Sequence, residues 1–341
     1  MRLISIDALR FVAIVAVIVI HVYPAGDDEL VGQVLNQLAR FAVPCFFVVA
    51  GYFFFKKTAD DKSSSFSYFI KYGVKIVYIY LIWYIIFAYL PLLLPDKWGD
   101  IEQYGFFVEF LNESKHIANE LKSHLLYYLL AGGRADHLWF LPSLGMGIFL
   151  LYLAIYFDFL LLGSVLSFAL YVLAILMGPY ANSSIGVDLS IGGRNGPFFS
   201  SFYVFTGALL AKYPINITKN KSLIIALVGM VLHLFESFYL GSVYDLPIRS
   251  HNFGFATPIF SIGIILYVFA KPSLGSALKL DLLGKYVMGI YVSHYLFITL
   301  LYATHSMPSS GLIRVALITL ISLGFVMVVS RIPLARYLVK I

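Results

Sequence analysis

Residues 5–22 read SIDALRFVAIVAVIVIHV, and this stretch decides how the rest of the chain is read. Asp7 and Arg10 open it, ten apolar residues follow, and His21 closes it. The run is long and apolar enough to be a membrane-spanning helix rather than a soluble core helix. On such a helix the step from Arg10 to His21 turns about 1100°, within roughly 20° of whole turns, and rises about 16 Å. The two side chains therefore share one face, near opposite ends of the span. Asp7 precedes Arg10 by the spacing that lets the two meet on that face. Ionisable groups inside a span are expensive in lipid and mark a functional site. Taken singly, a snorkelling arginine and an interfacial histidine are ordinary.

The remainder of the chain agrees with a membrane reading. Hydrophobic residues make up 60% of the 341 and charged residues 12%, half of the about 25% usual in soluble domains. No stretch is left over for a separate soluble domain, so 1–341 reads as a single integral-membrane domain. The single cysteine, Cys45, lies in an apolar run, which excludes disulfides and cysteine-based metal sites. A net charge of +6 does not indicate nucleic acid, because the basic residues sort by membrane side. Pro24-Ala25-Gly26 is followed by acids rather than by a small-residue cleavage site, so the first span is expected to be retained.

About ten spans are expected, near 6–23, 36–55, 70–94, 138–156, 159–177, 198–212, 223–240, 254–270, 285–304 and 311–330. The fold class is thus all-α and polytopic. The sixth span is shorter than a bilayer asks, and the connection at 157–158 is very short. One side of this arrangement collects Arg2, Arg10, Lys56, Lys57, Lys62, Lys71, Lys75, Lys212, Lys219, Lys221, Lys271, Lys279, Lys285, Arg331, Arg336 and Lys340, which is 16 of the 24 Lys and Arg. The positive-inside rule makes that side cytoplasmic and places both termini there. The first loop of the other side carries Asp27, Asp28 and Glu29 and no base. In the long outer connection 95–137, Phe106, Phe107, Phe110, Leu111, Ile117, Leu121, Leu125 and Leu129 recur near helical spacing among charged residues. That pattern fits an interfacial helix on the outer surface or an amphipathic connector.

The polar residues of the spans fall mostly in the outer half. They are His21, Gln37, Arg40, His137, Trp139, Arg194, His233 and Glu236, with His294 alone near a span centre. A polar pocket open to the outer face is the economical reading. Histidine accepts protons near neutral pH, a carboxylate such as Glu236 can orient it, and Arg40 and Arg194 suit a phosphate or carboxylate. A lone histidine in a helix bundle is nevertheless more often an interhelical hydrogen-bonding residue, and His233 and His294 fit that description. On the inner side Lys71 and Lys75 stand four residues apart. Charge sorting alone accounts for them, and a phosphate clamp for a donor such as a coenzyme A thioester is the functional reading. The sequence contains no HExxH, GxSxG or phosphate-cradling glycine loop, and no metal site is expected.

These residues resemble the acyltransferase 3 family of integral-membrane acyltransferases. Arg10, ten residues and His21 match its R-x10-H signature, and the preceding IDALR is similar to its acid-x-Leu-Arg opening. The resemblance continues through NQLARFAVPCFFVVAGYFF (36–54), HLWFLPSL (137–144), RNGPFF (194–199) and GKYVMGIYVSHYLF (284–297). It looks closest to the surface polysaccharide O-acyltransferase branch. Ala50 departs from the serine that usually precedes Gly51-Tyr52.

The resemblance implies a ten-helix enzyme of the bacterial cytoplasmic membrane. It would move an acyl group, usually acetyl, from cytoplasmic acyl-CoA (acetyl-CoA) to a hydroxyl of a lipid-linked or surface glycan. By the same resemblance His21 is the catalytic histidine, Arg10, with Asp7 beside it, its partner, and Lys71 and Lys75 the basic pair that meets coenzyme A. From their position at the outer ends of the spans, and not from the resemblance, Gln37, Arg40, His137, Trp139, Arg194 and Glu236 are expected to contact the acceptor. The rival class is a transporter or flippase of glycan, lipid or acyl donor. It would need a midplane site and broken helices, whereas only His294 is central.

Overall fold

The computed structural model describes residues 3–23, 30–59, 62–189 and 192–339, with side chains at all of these except 62–64 and 128–129. Arg2, Asp27, Asp28, Glu29 and Lys340 of the charge pattern lie outside the described residues, as do the side chains of Lys62 and Leu129. Among the described residues every regular element is helical, as lipid requires of any segment not closed into a barrel. The chain is an all-α polytopic membrane protein.

Thirteen α-helices follow one another among the described residues: α1 (Ile4–Val22), α2 (Leu30–Leu38), α3 (Ala42–Thr58), α4 (Lys62–Tyr89), α5 (Trp98–Tyr104), α6 (Phe106–Ala131), α7 (Phe140–Tyr156), α8 (Leu160–Met177), α9 (Pro197–Lys212), α10 (Lys219–Tyr244), α11 (Thr257–Ala270), α12 (Val287–Ala303) and α13 (Gly311–Val329). A 3-10 turn at Ala39–Phe41 joins α2 to α3 without a break in the apolar run. Eight of the ten expected spans coincide with segments long and apolar enough to cross a membrane. The other two are α9, with 16 residues, and α11, with 14. Burial explains how α9 tolerates its length: ten of its 16 residues are buried, against four of the 19 residues of α13. A helix packed among its neighbours need not match the lipid thickness that a lipid-facing helix must cover.

The chain divides into two units. The first comprises Met1–Tyr72 and Ser143–Val287. Its centre is the α3–α9 pair, where two glycines allow the backbones to touch. A Cβ on Gly51 would stand 2.0 Å from the Val204 carbonyl oxygen, and one on Gly207 would stand 2.0 Å from that of Val48. Small residues at such crossings are how membrane helices gain contact where lipid offers no hydrophobic drive. Around this pair α8 stacks its Tyr171 on Phe202 and bonds its hydroxyl to that of Tyr203 at 3.2 Å. The start of α1 is gripped by the segment before α12, since a Cβ on Gly284 would lie 2.8 Å from the Cβ of Asp7.

The second unit comprises Gly73–Pro142 and Met288–Ile341. It contains the long connection, which folds as α5 and α6, the latter broken at His124 (φ −134°, ψ 38°). Arg134 fastens α6: it donates to Glu113, to Glu120 at 2.8 Å and to the Ala88 carbonyl at 3.3 Å. Along α6 Ile117 is buried, while Phe106, Phe107 and Leu125 stand exposed. The amphipathic stripe is therefore helical, with much of its apolar face left uncovered within the chain.

Candidate active site

The unbroken α1 carries Asp7, Arg10 and His21 together, so the helical rise holds Arg10 and His21 about 16 Å apart along the axis. At one end Arg10 Nη1 donates to Asp7 Oδ1 at 3.3 Å, both side chains only partly exposed. The carboxylate thus keeps one rotamer of the arginine in place on the face that leads to His21. His21 lies in the last turn, half-buried.

That last turn is tied down from outside the helix. The C-terminal carbonyls of any helix lack intrahelical donors, and here Asn36 Nδ2 supplies one, donating to the Ile20 carbonyl at 3.1 Å. Asn36 is 2% exposed. Its Oδ1 in turn accepts from Arg40 Nη2 at 2.7 Å, and the same nitrogen also donates to the Arg249 carbonyl at 3.2 Å. The Nε–H of Arg40 is buried with no acceptor among the described residues, so it is a donor this cluster still has to offer. Arg194, in the turn before α9, is near enough to Arg40 for their charges to interact.

Gln37 extends the cluster to α10. Its Nε2 donates to the Ile248 carbonyl at 2.8 Å, which turns Oε1 toward His233 Nε2 at 3.1 Å and the Ser237 hydroxyl at 3.3 Å. Because Gln37 Oε1 only accepts, His233 Nε2 carries the proton. Nδ1 then accepts from the Thr257 hydroxyl at 3.2 Å, whose oxygen itself accepts from the Gly254 N–H at 2.7 Å. Both ring nitrogens of His233 are used and the residue is 1% exposed, which describes a neutral, interhelical histidine.

Glu236, one turn further along α10, has both carboxylate oxygens engaged. Oε1 accepts from the Phe255 N–H at 2.8 Å and the Tyr180 hydroxyl at 2.9 Å, and Oε2 from the Ala256 N–H at 2.9 Å. It thereby satisfies N–H groups where α11 begins, a place that favours negative charge. Burial and the Glu236 charge push the Tyr180 hydroxyl above its ordinary range, so it stays a donor. Burial pushes His251 below its usual value, with the Glu236 charge opposing.

The sequence-predicted residues thus fall into four groups. Asp7 and Arg10 pair. Gln37, Arg40, Arg194 and the turn of His21 share one cluster in the first unit, and Glu236 lies beside it as the anchor of α11. Lys71 and Lys75 occupy consecutive turns of α4, both exposed. His137 and Trp139 belong to the second unit. There the His137 ring stacks on Tyr295 at 4.9 Å and meets His294 edge-on at 5.3 Å, and its carbonyl accepts from the Tyr291 hydroxyl. His294 Nδ1 lies 2.6 Å from the Tyr291 carbonyl.

Two members of the cluster were missed by sequence reasoning, Asn36 and Thr257. The available signal for Asn36 was its place beside Gln37 in an otherwise apolar span, where a polar side chain needs a partner.

Comparison with protein families finds that the acyltransferase 3 family model, described as an acyltransferase domain, matches residues 3–331. Among curated proteins, a serine/alanine racemase of Enterococcus gallinarum is 29% identical over 258 residues, which is 69% of this chain and 33% of that protein. The chain therefore spans about a third of the length of that relative. No solved structure matches.

Proposed function

The chain belongs to the acyltransferase 3 family, and from that premise we propose that it moves an acyl group, acetyl by preference, from acyl-coenzyme A to a hydroxyl of a surface or lipid-linked glycan. In this reading the lysine-rich face is cytoplasmic, the donor enters there past Lys71 and Lys75, and the acceptor meets His21 at the outer face of a bacterial cytoplasmic membrane. The observation that carries it is the single helix α1, with an Asp7-held Arg10 at one end and an externally tied histidine turn at the other.

The His21 imidazole takes the proton of the acceptor hydroxyl as its oxygen bonds to the thioester carbonyl carbon. The carbon–sulfur bond breaks, and the proton leaves on the coenzyme A sulfur. Arg10, about 16 Å below His21 on the same face, steadies the donor arm that reaches up from the cytoplasm. Arg40 offers its spare N–H, together with Arg194, to the acceptor, and Gln37 holds α2 against α10 behind them. Glu236 keeps the α10–α11 junction in shape around them.

Vesicles containing the protein and loaded with radiolabelled acetyl-coenzyme A test this. Label is expected on an external glycan acceptor, with one coenzyme A thiol released per acetyl transferred. Label emerging as intact donor, or movement of glycan across the membrane with no label joined to it, would make the protein a transporter.

A further inference from the structure

The crossing of α3 and α9 at Gly51 and Gly207 has a second consequence toward their C-terminal ends. A cleft of about 480 Å³ lies there, bounded by Lys56 of α3 and Ala59 just past its end, Ala211 and Lys212 of α9, and Ala154 and Asp158 at the corner between α7 and α8. Three alanines make the room, and Ala154 and Ala211 form a buried floor. The two lysines come from different helices, both are exposed, and among the described residues neither has an ion-pair partner. A lysine in the last turn of a helix is favoured by the helix dipole in any case, so the charges alone assign nothing.

The surroundings of the cleft add what the charges lack. Ile155 and Leu160 line the cleft from this corner, and the residues next to them in sequence give the corner an exposed apolar and aromatic rim. Tyr156, Phe157, Leu161 and Leu162 are 45%, 62%, 61% and 59% exposed. Phe157 stacks on Phe159 at 6.2 Å and meets Tyr156 edge-on at 5.0 Å. A soluble phosphate compound needs cations and no such rim. A phospholipid needs both, because its phosphate seeks the ammonium groups and its chains seek the apolar corner. Basic pockets between helices on the lysine-rich side of a membrane protein bind lipid headgroups in this manner, and aromatic rings sit at the headgroup level beside them.

We propose that the cleft between α3, α9 and the α7–α8 corner holds the phosphate of a membrane phospholipid between Lys56 and Lys212, with its chains along Phe157, Leu161 and Leu162. The site is separate from the acyl-transfer reading, and its test requires no activity. The full chain is reconstituted into phosphatidylethanolamine–phosphatidylglycerol vesicles, re-extracted in mild detergent, and its retained phospholipid measured by native mass spectrometry. Wild type is expected to retain one phospholipid. Two lysines at about fivefold each give about a twenty-fivefold loss of retained lipid in Lys56→Gln/Lys212→Gln. Both side chains are exposed, so the variant is expected to keep its helical circular dichroism. Lys279→Gln, which removes a charge of the same end outside the cleft, is expected to retain lipid as wild type does. Equal retention by the double variant, or an equal loss in Lys279→Gln, would overturn the proposal. Displacement of the lipid by millimolar inorganic phosphate or adenosine 3′,5′-bisphosphate would also overturn it, by assigning the cleft to a soluble ligand.

Discussion

Replacing Asn36 by leucine removes two hydrogen bonds while keeping the approximate volume of the side chain. One runs from Asn36 Nδ2 to the Ile20 carbonyl at 3.1 Å, the other from Arg40 Nη2 to Asn36 Oδ1 at 2.7 Å. Within membranes a bond of the first kind stabilises by about 0.6–1.7 kcal/mol, and a charge-assisted one by about 1.5–3 kcal/mol. About 2–5 kcal/mol of local order is therefore lost around the turn that carries His21. Arg40 keeps its bond to the Arg249 carbonyl, so the cluster loosens rather than collapses. A catalytic group misplaced by about 1 Å loses on the order of a hundredfold in rate, so kcat is expected to fall ten- to a hundredfold in Asn36→Leu. KM for acetyl-coenzyme A should stay within about twofold, because the affected turn is remote from Arg10, where the donor is proposed to bind. The assay is coenzyme A release in proteoliposomes, paired with amide hydrogen exchange over residues 19–23. Wild-type kcat together with wild-type exchange in this turn would refute the idea that Asn36 positions His21.

Three further outcomes follow from the same contacts. Asp7→Asn breaks a partly exposed ion pair with side chains 18% and 34% accessible. Thermal stability in detergent should fall by less than about 1 kcal/mol, whereas turnover should drop about tenfold or more as Arg10 loses its fixed rotamer. Glu236→Gln replaces one of the two accepting oxygens at the start of α11 by an amide donor facing an N–H. A loss of about 1–2 kcal/mol is expected, read as a lower unfolding temperature, and unchanged unfolding would contradict the anchoring role. Gly207→Val pushes a side chain into the Val48 carbonyl, 2.0 Å from the Cβ position, and should prevent accumulation of folded protein. Gly324→Ala, where nothing lies within 4 Å, should express normally.

The helical, membrane-spanning character and the pairing of Asp7 with Arg10 are legible in the sequence because each depends on residues a few positions apart. The joint address of Gln37, Arg40 and Arg194 was also foreshadowed, by their common position at one end of the spans. The tie from Asn36 to Ile20 was not, because its acceptor is a backbone carbonyl and carbonyls have no sequence signature. Glu236 is a similar case: its acceptor role depends on the N–H groups of Phe255 and Ala256, which the chain returns only after a turn of irregular backbone. His137 meets Tyr291, His294 and Tyr295 from more than 150 residues away, and a linear reading groups it with the outer polar residues instead. The short helices α9 and α11 escape a length criterion because burial, not lipid thickness, sets their limits.

The central claim is that His21 performs the proton transfer of an acyl-transfer reaction. Its most direct test compares wild type with His21→Ala, both reconstituted to equal density and equal helical content, by initial rates of coenzyme A release and of labelled acetyl transfer to glycan. General-base assistance contributes about 10²–10⁴-fold, so the variant should lose both signals by at least a hundredfold while remaining inserted and folded. Transfer at the wild-type rate by folded His21→Ala would contradict the account.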